Sequence, residues 1–456
     1  MKIIILGAGQ VGTSVLTSLA SEANDIIIVD TQPSLLADLQ ERFDVGAIVG
    51  NAAHPTVLEQ AGAAHADMLI AVTSDDETNM LACKIAHDLF KVPKKIARIR
   101  AIEYTTHPEL FGENGIPIDK VISPEQIVTE FIERLLECPG ATQVLDFANG
   151  RVRMVSVHAL EGSPLVGREI KELNDHMPSA HARIAAIFRE GKALVPHGKM
   201  VIQPGDEVFF AASSEEITTV MSELRHLEKP YKRLMFAGGG HIGKRVAMRL
   251  ENDYQVKVIE KNLKRARKIA SELSNTVVLQ GDASDKDLLV GENIDGIDVF
   301  CAITNDDEAN ILSAMLAKRL GARRVMSLIN RAAYAELVES HLVDQVISPQ
   351  EATIGALLRY VRRGDVVQVH SLRRGAAEAI EAVAHGDART SKVVGQRIDR
   401  IKIPAGVVMG ALVRGDEVIK VHHDTVIEEG DHVIMFLLDK KLIPPVEKLF
   451  AVEGDG

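Results

Sequence analysis

Aromatic residues are scarce in this sequence, and basic residues are outnumbered by acidic ones. Its 456 residues include no tryptophan, aromatic residues make up 4%, and acidic residues exceed basic ones to give a formal net charge of -12. The shortage of aromatics argues against a protein that stacks nucleic-acid bases on its side chains. The negative charge argues against binding driven by nucleic-acid phosphates. The composition therefore predicts no nucleic-acid partner.

Cysteines and long apolar runs are scarce as well. The three cysteines, Cys83, Cys138 and Cys301, form no CxxC pair, which is typical of buried thiols in a reduced, cytosolic protein. No run approaches the roughly 18 apolar residues of a membrane-spanning helix. We therefore expect a soluble chain that is able to dock on a membrane protein.

Several motifs of the chain occur twice, in the same order. Three motifs of the first half return at one constant separation: GAGQVG at 7–12 as GGGHIG at 238–243, GNA at 50–52 as GDA at 281–283, and AVTSDDETNMLAC at 71–83 as AITNDDEANILSA at 302–314. A fourth motif, ISPEQ at 122–126, returns in the same order as ISPQE at 347–351. Such ordered similarity indicates an internal duplication.

Each copy begins with apolar strands that alternate with helices, and its second strand ends in an acid, Asp30 or Glu260. Continuous apolar strands between helices are typical of a parallel sheet covered on both faces. The later stretches RIAAIFREGKALVP and GALVRGDEVIKV predict hairpins. We therefore predict an α/β fold class, with two tandem Rossmann-like doubly wound parallel-sheet domains, each followed by a small α+β domain. The predicted domains are residues 1–140, 141–228, 229–362 and 363–456.

The first glycine motif has the context that a dinucleotide-binding fingerprint requires: it follows a strand, opens a helix and precedes an acidic strand end. Gly7 permits the tight turn, Gly9 lets the backbone approach a pyrophosphate, and Gly12 allows close helix–strand packing. The helix N-terminus adds free N–H groups and partial positive charge. We expect Asp30 to hold the adenosine ribose and to favour NAD over NADP. The alternative is a Rossmann-like scaffold that has lost its ligand.

The second copy keeps its glycines and its acid but departs from the first in two places. His241 stands where the first copy has Gln10. ARIR at 97–100 aligns with MSLI at 326–329, so Arg98 has no cationic counterpart. We therefore expect the second site to lack a cationic partner for a phosphate or ribose, and its ligand stays open.

The repeated acidic stretch has three possible interpretations. SDDE at 74–77 and NDDE at 305–308 resemble capping boxes at helix starts. Acids in a first helical turn also complement the helix dipole. Catalytic paired carboxylates and a metal site are the alternatives, but acidic sites for Mg²⁺ or Ca²⁺ need more ligands than this stretch offers. Helix capping is the interpretation we adopt.

The position of the acidic stretch still points to a ligand. It follows the fourth strand of each copy, at the carboxyl edge where open α/β sheets bind ligands. Thr73, Ser74, Thr304 and Asn305 are therefore able to touch a nucleotide even where the acids only cap a helix.

Histidines give little support to an enzyme. His54, His87 and His107 lie scattered in the first copy. We interpret His422 and His423 as an exposed strand pair in the last hairpin, because further ligands at zinc spacing are missing. We predict no catalytic residue and no metal site.

The duplicated order of GAGQVG, VTSDDETNMLAC and ISPEQ resembles the TrkA family, the regulatory subunits of bacterial Trk potassium-uptake systems, whose lobes are of the RCK (KTN) type. The resemblance covers essentially the whole chain. It implies a peripheral protein on the cytoplasmic face of the inner membrane that binds NAD or NADH, with ATP or ADP as a further option. It also implies a homotetrameric ring of eight lobes that gates a membrane-embedded potassium transporter subunit of the TrkH or TrkG type.

The same resemblance implies which residues bind the cofactor. The implied residues are Gly7, Ala8, Gly9, Gln10, Val11, Asp30, Asn51, Thr73, Ser74 and Arg98 in the first copy, and Gly238, Gly239, Gly240, His241, Ile242, Glu260, Asp282, Thr304 and Asn305 in the second.

Two other functions stay open. An NAD-dependent oxidoreductase would need a proton donor and a substrate anchor, and neither small domain offers a recognisable His, Lys or Tyr constellation. A nucleotide-sensing subunit of another cation transporter is poorly separated from a Trk subunit by the sequence alone.

Overall fold

The computed structural model describes residues 1–20, 24–112, 114–177, 181–338, 342–361, 366–372 and 377–452. The chain divides into two compact units. Unit 1 comprises residues 1–127 together with 349–357, and unit 2 comprises residues 128–348 together with 358–456. No helix in the described ranges is both long and apolar enough to cross a bilayer.

Unit 1 contains a parallel sheet of apolar strands. Its strands are β1 (Lys2–Leu6), β2 (Asp25–Asp30), β3 (Gly46–Val49), β4 (Met68–Ala71), β5 (Lys94–Arg98) and β6 (Lys120–Ile122). Its helices are α1 (Gln10–Ala20), α2 (Pro33–Arg42), α3 (Pro55–Gln60), α4 (Asp76–Asp88) and α5 (Ile102–Thr105). The strand order is β3-β2-β1-β4-β5-β6. The order reverses between β1 and β4, and this switch point is where doubly wound sheets bind ligands.

An antiparallel sheet follows in unit 2. Its strands are β7 (Gln143–Phe147), β8 (Val152–His158), β9 (Arg183–Arg189), β10 (Lys192–Leu194) and β11 (Glu207–Ser213), in the order β10-β9-β11-β8-β7. The helices of this part of the chain are α6 (Pro124–Glu137), α7 (Glu172–His176) and α8 (Ile217–Leu224). The predicted hairpin in RIAAIFREGKALVP is confirmed, since β9 and β10 pair antiparallel.

The second parallel sheet repeats the first. Its strands are β12 (Arg233–Ala237), β13 (Gln255–Glu260), β14 (Val277–Gln280), β15 (Val299–Ala302), β16 (Arg324–Leu328) and β17 (Gln345–Ile347), in the order β14-β13-β12-β15-β16-β17. The helices of this part of the chain are α9 (His241–Leu250), α10 (Leu263–Glu272), α11 (Lys286–Gly291), α12 (Asp307–Arg319), α13 (Ala332–Val338) and α14 (Pro349–Val361). The same switch point therefore lies between β12 and β15.

The second antiparallel sheet closes the chain. Its strands are β18 (Val366–Leu372), β19 (Ala377–Val383), β20 (Val407–Arg414), β21 (Glu417–Ile419) and β22 (His432–Leu437), in the order β18-β19-β22-β20-β21, and helix α15 (Ile443–Phe450) follows. The hairpin predicted in GALVRGDEVIKV is confirmed by the antiparallel pairing of β20 with β21. The predicted fold class is therefore confirmed: each parallel α/β sheet is followed by a small α+β part.

Two apolar cores in unit 2 involve the antiparallel sheets. One lies between the sheets themselves, where the rings of Phe209 and Phe436 lie 5.4 Å apart. The other joins helix α6 to the second parallel sheet and includes Ile132 and Val246. An ion pair between Arg249 and Glu133, 2.7 Å apart, supports the second contact.

The four sheets fall inside the four predicted domains, and the predicted boundary at 362–363 lies outside the described residues. Unit 1 departs from a simple division into halves, because it includes residues 349–357 of helix α14. The Gln350 amide donates a hydrogen bond to the Gln10 carbonyl over 3.2 Å. A segment of the second copy therefore packs at the first glycine turn.

Candidate functional site

The first glycine turn lies between β1 and α1. Gly7 has a φ of +104°, a conformation that glycine adopts at little cost, and its N–H donates to the Val29 carbonyl over 2.8 Å. A Cβ added at Gly12 would overlap the Gly7 carbonyl oxygen, whereas a Cβ added at Gly9 would meet no atom within 4 Å. The turn is therefore closed at Gly7 and Gly12 and open beside Gly9.

The second glycine turn, between β12 and α9, has the same geometry. Gly238 has a φ of +113°, and its N–H donates to the Ile259 carbonyl over 2.9 Å. A Cβ at Gly243 would overlap the Gly238 carbonyl oxygen, and a Cβ at Gly240 would meet nothing within 4 Å. Both copies therefore have a glycine turn, here called a cradle, that is open beside one glycine, Gly9 or Gly240.

Each glycine turn leads directly into a helix. Helix α1 begins at Gln10 and continues with Val11, and helix α9 begins at His241 and continues with Ile242. The first N–H groups of a helix have no partner inside the helix and carry partial positive charge. An anion such as a pyrophosphate is stabilised at this place.

The acid at the end of β2 is joined to the first glycine turn. Asp30 accepts a hydrogen bond from the Ala8 N–H over 2.7 Å and another from the Gln32 N–H over 2.9 Å. The Asp30 carbonyl accepts from the Gly50 N–H, which brings Asn51 to the same edge of the sheet. The carboxylate therefore fixes the turn and remains half-buried at the rim.

Glu260 takes the equivalent place in the second copy. Its carboxylate accepts from the Gly239 N–H over 3.0 Å and from the Asn262 N–H over 2.7 Å. Its carbonyl accepts from Gly281, so Asp282 lies at the matching edge. The acid, the glycine turn and the end of the third strand therefore come together in both copies.

The acidic stretch caps its helix one residue later than predicted. Helix α4 begins at Asp76, and Asp75 is its N-cap, because the Asp75 carboxylate accepts from the Thr78 N–H over 2.7 Å. Hydrogen bonds from Thr78 hold the pKa of Asp75 below its usual value. The capping box with Ser74 as N-cap is therefore wrong. The charged carboxylate is the better acceptor at this helix terminus.

The second copy repeats this correction. Asp306, and not Asn305, caps α12 by accepting from the Ala309 N–H over 2.9 Å. The side chains of Ser74 and Asn305 are exposed at the rim, so both stay candidates for a ligand contact.

The next acid of each stretch is buried and holds the segment after the fifth strand. Asp76 accepts from the N–H groups of Arg100 and Ala101, both over 2.8 Å. Asp307 accepts from the corresponding N–H groups of residues 330–331, over 2.9 to 3.1 Å. These carboxylates stabilise the shape of the rim, a role that the predicted helix capping did not include.

A buried amide beside the cradle was not predicted from the sequence. The Asn79 side chain is fully buried. Its oxygen accepts from the Thr73 N–H over 3.0 Å and from the Thr73 hydroxyl over 2.7 Å. Its nitrogen donates to the carbonyls of Thr73 and Arg98, the latter over 2.9 Å. One side chain therefore fixes two predicted nucleotide-binding positions. The signal was available as the shared asparagine of DDETN and DDEAN.

Asn310 makes the same four hydrogen bonds with Thr304 and Leu328. Leu328 is therefore the structural counterpart of Arg98, and the alignment of ARIR with MSLI was wrong by one position. The connection from the helix to the fifth strand is one residue shorter in the second copy, at 320–323 against 89–93. At the corrected position Arg98 is still replaced by an apolar residue, Leu328.

Arg98 lies half-buried at the carboxyl end of β5. Burial lowers its pKa, and the charges of Glu125 and Asp76 partly oppose that effect. The neighbouring Arg100 guanidinium donates to the Ser74 carbonyl. The first copy therefore has two arginines, Arg98 and Arg100, at and just after the carboxyl end of β5.

The histidine pair of the last domain is not in a strand. His422 and His423 lie in a turn after β21, with ring centroids 4.0 Å apart. The Nδ1 atom of His422 lies 2.6 Å from the Asp424 carboxylate, and all three side chains are exposed. The predicted strand pair is therefore wrong, because the hairpin strand ends at Ile419.

Comparisons with known proteins agree with this architecture. A family model described as the TrkA-N domain matches residues 3–124 and again residues 234–349. A model described as the TrkA-C domain matches residues 154–225. Two curated relatives, each described as Trk system potassium uptake protein TrkA, cover nearly the whole chain. The relative from Halomonas elongata is 55% identical over 99% of both chains, and the relative from Vibrio alginolyticus is 56% identical over 99% of this chain and 98% of its own.

Solved structures share the fold at low sequence identity. The GsuK RCK domain has a TM-score of 0.61 at 17% identity and covers 98% of this chain and 94% of its own. A GsuK channel bound to NAD has a TM-score of 0.62 at 17% identity, with coverages of 98% and 78%. A GsuK structure bound to ADP has a TM-score of 0.50 at 15% identity, with coverages of 79% and 69%. At these identities the similarity establishes the fold alone.

Proposed function

This chain belongs to the TrkA family, and we propose that it is a regulatory subunit of a Trk-type potassium-uptake system that binds NAD or NADH without consuming it. The predicted domains would serve as two nucleotide-binding lobes and two small lobes. Relatives sharing more than half of their residues with this chain carry the potassium-uptake description over their full lengths.

One observation carries the nucleotide part of this proposal. Both copies have a closed glycine turn that is open at one glycine, Gly9 or Gly240, next to a helix N-terminus and an acid at the end of the second strand. That combination suits a pyrophosphate and a ribose at the switch point of a doubly wound sheet. The cofactor-binding residues named from the family resemblance are the proposed contacts.

The finer parts of the proposal come from the family. We propose a membrane-embedded potassium transporter subunit of the TrkH or TrkG type as partner, a homotetramer as the assembly, and the cytoplasmic face of the inner membrane as the location. ATP or ADP is a further proposed ligand. NAD and ADP are bound by the GsuK structures that share this fold.

The proposed regulation needs no chemistry at the nicotinamide. A nucleotide shifts an assembly between two states only by binding one of them more tightly. A tenfold preference for one state corresponds to about 1.4 kcal/mol. The transporter would open or close as the lobes change their arrangement, and the nucleotide would be released unchanged.

A calorimetric titration tests the proposed binding. The variant Gly9→Val places a branched side chain in the open part of the first cradle, so we expect it to weaken first-lobe binding of NADH at least about tenfold. Gly291→Val is the matched control, because a Cβ at Gly291 also meets nothing within 4 Å and this residue ends a helix outside the cradles. Unchanged first-lobe affinity in Gly9→Val would refute the site.

A flux assay tests the proposed output. Potassium flux through the reconstituted transporter should depend on this protein and on added NADH, and Gly9→Val and Gly240→Val should alter the response separately. NADH absorbance is followed in the same samples, where no turnover is expected. Potassium flux that is the same with and without this protein, whether or not nucleotide is added, would refute the regulatory function. Steady NADH oxidation would favour the oxidoreductase.

A further inference from the structure

The two nucleotide-binding lobes differ in charge where the second strand ends. Strands β2 and β13 pair with the first strand of their sheets in the same register, so their residues correspond one to one. The first lobe has Asp30, Thr31, Leu35 and Asn51 at this edge, and the second has Glu260, Lys261, Arg265 and Asp282. The second lobe therefore has two cations where the first has none.

The acid of the second lobe has little free negative surface. Glu260 is only 5% exposed, and both of its oxygens accept backbone N–H groups. The Arg265 guanidinium lies 3.4 Å from the same carboxylate. Asp30 of the first lobe also accepts two N–H groups but has no adjacent cation among the described residues. The negative charge that would repel a phosphate is therefore largely neutralised in the second lobe.

Lys261 is held at the rim by an acid that the first lobe lacks. Its ammonium group lies 2.8 Å from the Asp282 carboxylate, and its side chain is 79% exposed. Asp282 also accepts from the Ser284 N–H and hydroxyl. Hydrogen bonds from Lys261 and then Ser284 lower the pKa of Asp282 to about 2. An exposed ion pair of this kind is weak, so a phosphate dianion is able to recruit the lysine.

We propose that the second lobe binds a dinucleotide with a phosphate on its adenosine ribose, NADP or NADPH, and that Lys261 and Arg265 contact that phosphate. In Rossmann folds a free acid at this strand end selects the ribose 2′-hydroxyl, and a nearby arginine accommodates the 2′-phosphate. The first lobe would bind NAD or NADH, so each chain would respond to both dinucleotide pools. This inference depends on the proposed nucleotide-binding function.

The test uses the full chain with one lobe silenced at a time. In a Gly9→Val background, NADPH and NADH are titrated by calorimetry into the second lobe, where we expect NADPH to bind at least as tightly as NADH. Lys261→Thr together with Arg265→Leu installs the residues of the first lobe. We expect NADPH affinity to fall at least about tenfold, since each lost charge-assisted contact is worth about that much, and NADH affinity to change less than about threefold.

The matched control removes the same charges elsewhere on the same helix. Lys264→Thr together with Arg267→Leu alters exposed positions of α10, and it should leave NADPH affinity unchanged. The inference is overturned if NADPH binds tenfold more weakly than NADH, if it does not bind the second lobe, or if the control loses as much affinity as the test variant. NADH binding in a Gly240→Val background reports the first lobe separately. Failure there would count against the proposed function itself.

Discussion

The two nucleotide-binding lobes of this chain share a backbone but differ in the charges placed on it. Asn79 and Asn310 make the same four hydrogen bonds, and the hydroxyl bonds of Thr73 and Thr304 to them measure 2.7 and 2.6 Å. By contrast, Arg98 at the end of the fifth strand is replaced by a leucine. The buried network determines the shape of the rim, and the exposed side chains are free to set which ligand it accepts.

This difference follows from where each side chain lies. A buried amide with four partners cannot change without leaving several polar groups unpaired, each at a cost of about 1–3 kcal/mol. A charged side chain on an exposed rim changes at little cost in folding free energy. Duplication therefore preserves the scaffold, and under the proposed function it leaves the ligand preferences of the two lobes free to diverge.

The largest expected effect comes from the glycine that closes each turn. Gly12→Ala or Gly243→Ala places a methyl group on a backbone carbonyl, so we expect each variant to destabilise its lobe by about 3 kcal/mol or more. Urea unfolding measures the loss, with Gly291→Ala as the control. A large loss for one glycine and none for the other would break the equivalence of the two turns.

The buried amides should show the next largest effect. Asn79→Ala and Asn310→Ala each leave buried backbone groups without partners, and we expect a loss of about 2 kcal/mol in each lobe. Urea unfolding should give similar values for the two variants. If NADH affinity falls only for Asn79→Ala, the network supports ligand contacts only in the first lobe. If the free energy of unfolding is unchanged in both variants, the hydrogen bonds of the two amides do not stabilise the lobes.

A smaller effect is expected from moving charges between the lobes. In a Gly240→Val background, the first lobe should bind NADPH more weakly than NADH, because Asp30 repels a 2′-phosphate. Thr31→Lys together with Leu35→Arg installs the cations of the second lobe and should narrow that difference about tenfold. Equal affinities of the unmodified first lobe for NADH and NADPH would remove Asp30 from its proposed role.

The smallest effect concerns acid stability at the rim. The pKa of Asp282 is lowered in the folded state, to about 2 from 3.8. Its contribution is therefore present above about pH 4 and is lost as the pH falls from about 4 towards 2. Asp282→Asn should remove that part of the pH dependence, with a change below about 1 kcal/mol because the pair is exposed.

The measurement for Asp282→Asn is urea unfolding at several pH values in that range, compared with Asp253→Asn at an exposed position elsewhere. Asn51 holds the equivalent place in the first lobe and does not titrate, so the second lobe alone should show this effect. An unchanged acid profile in Asp282→Asn would contradict the assignment.

Much of the fold could be predicted from the sequence, because apolar strands, glycine turns and acidic strand ends are local signals. The capping residue could not be fixed so closely. Ser74 and Asp75 are both good N-caps, and the sequence does not show at which of them the helix starts. The counterpart of Arg98 in the second copy was assigned one position too early. The connecting loop before the fifth strand is one residue shorter there, and the flanking motifs do not show this difference.

The amides were missed for another reason. Asn79 and Asn310 lie inside helices, where an asparagine gives no signal of a structural role. Their hydrogen bonds depend on carbonyl groups that come within reach only after the sheet forms. The assignment of residues 349–357 to unit 1 could not be predicted from local sequence signals either. ISPQE resembles ISPEQ in sequence, and neither motif indicates which sheet its helix will cover.

That last feature affects how the protein is made. Unit 1 includes residues 349–357, and they leave the ribosome long after the sixth strand of its sheet. A chain stopped near residue 228 would therefore lack the segment whose Gln350 amide donates to the Gln10 carbonyl at the first glycine turn. If the gene were split there, the two products would have to meet before unit 1 contained all of its residues, so a measurable association of the two fragments is expected.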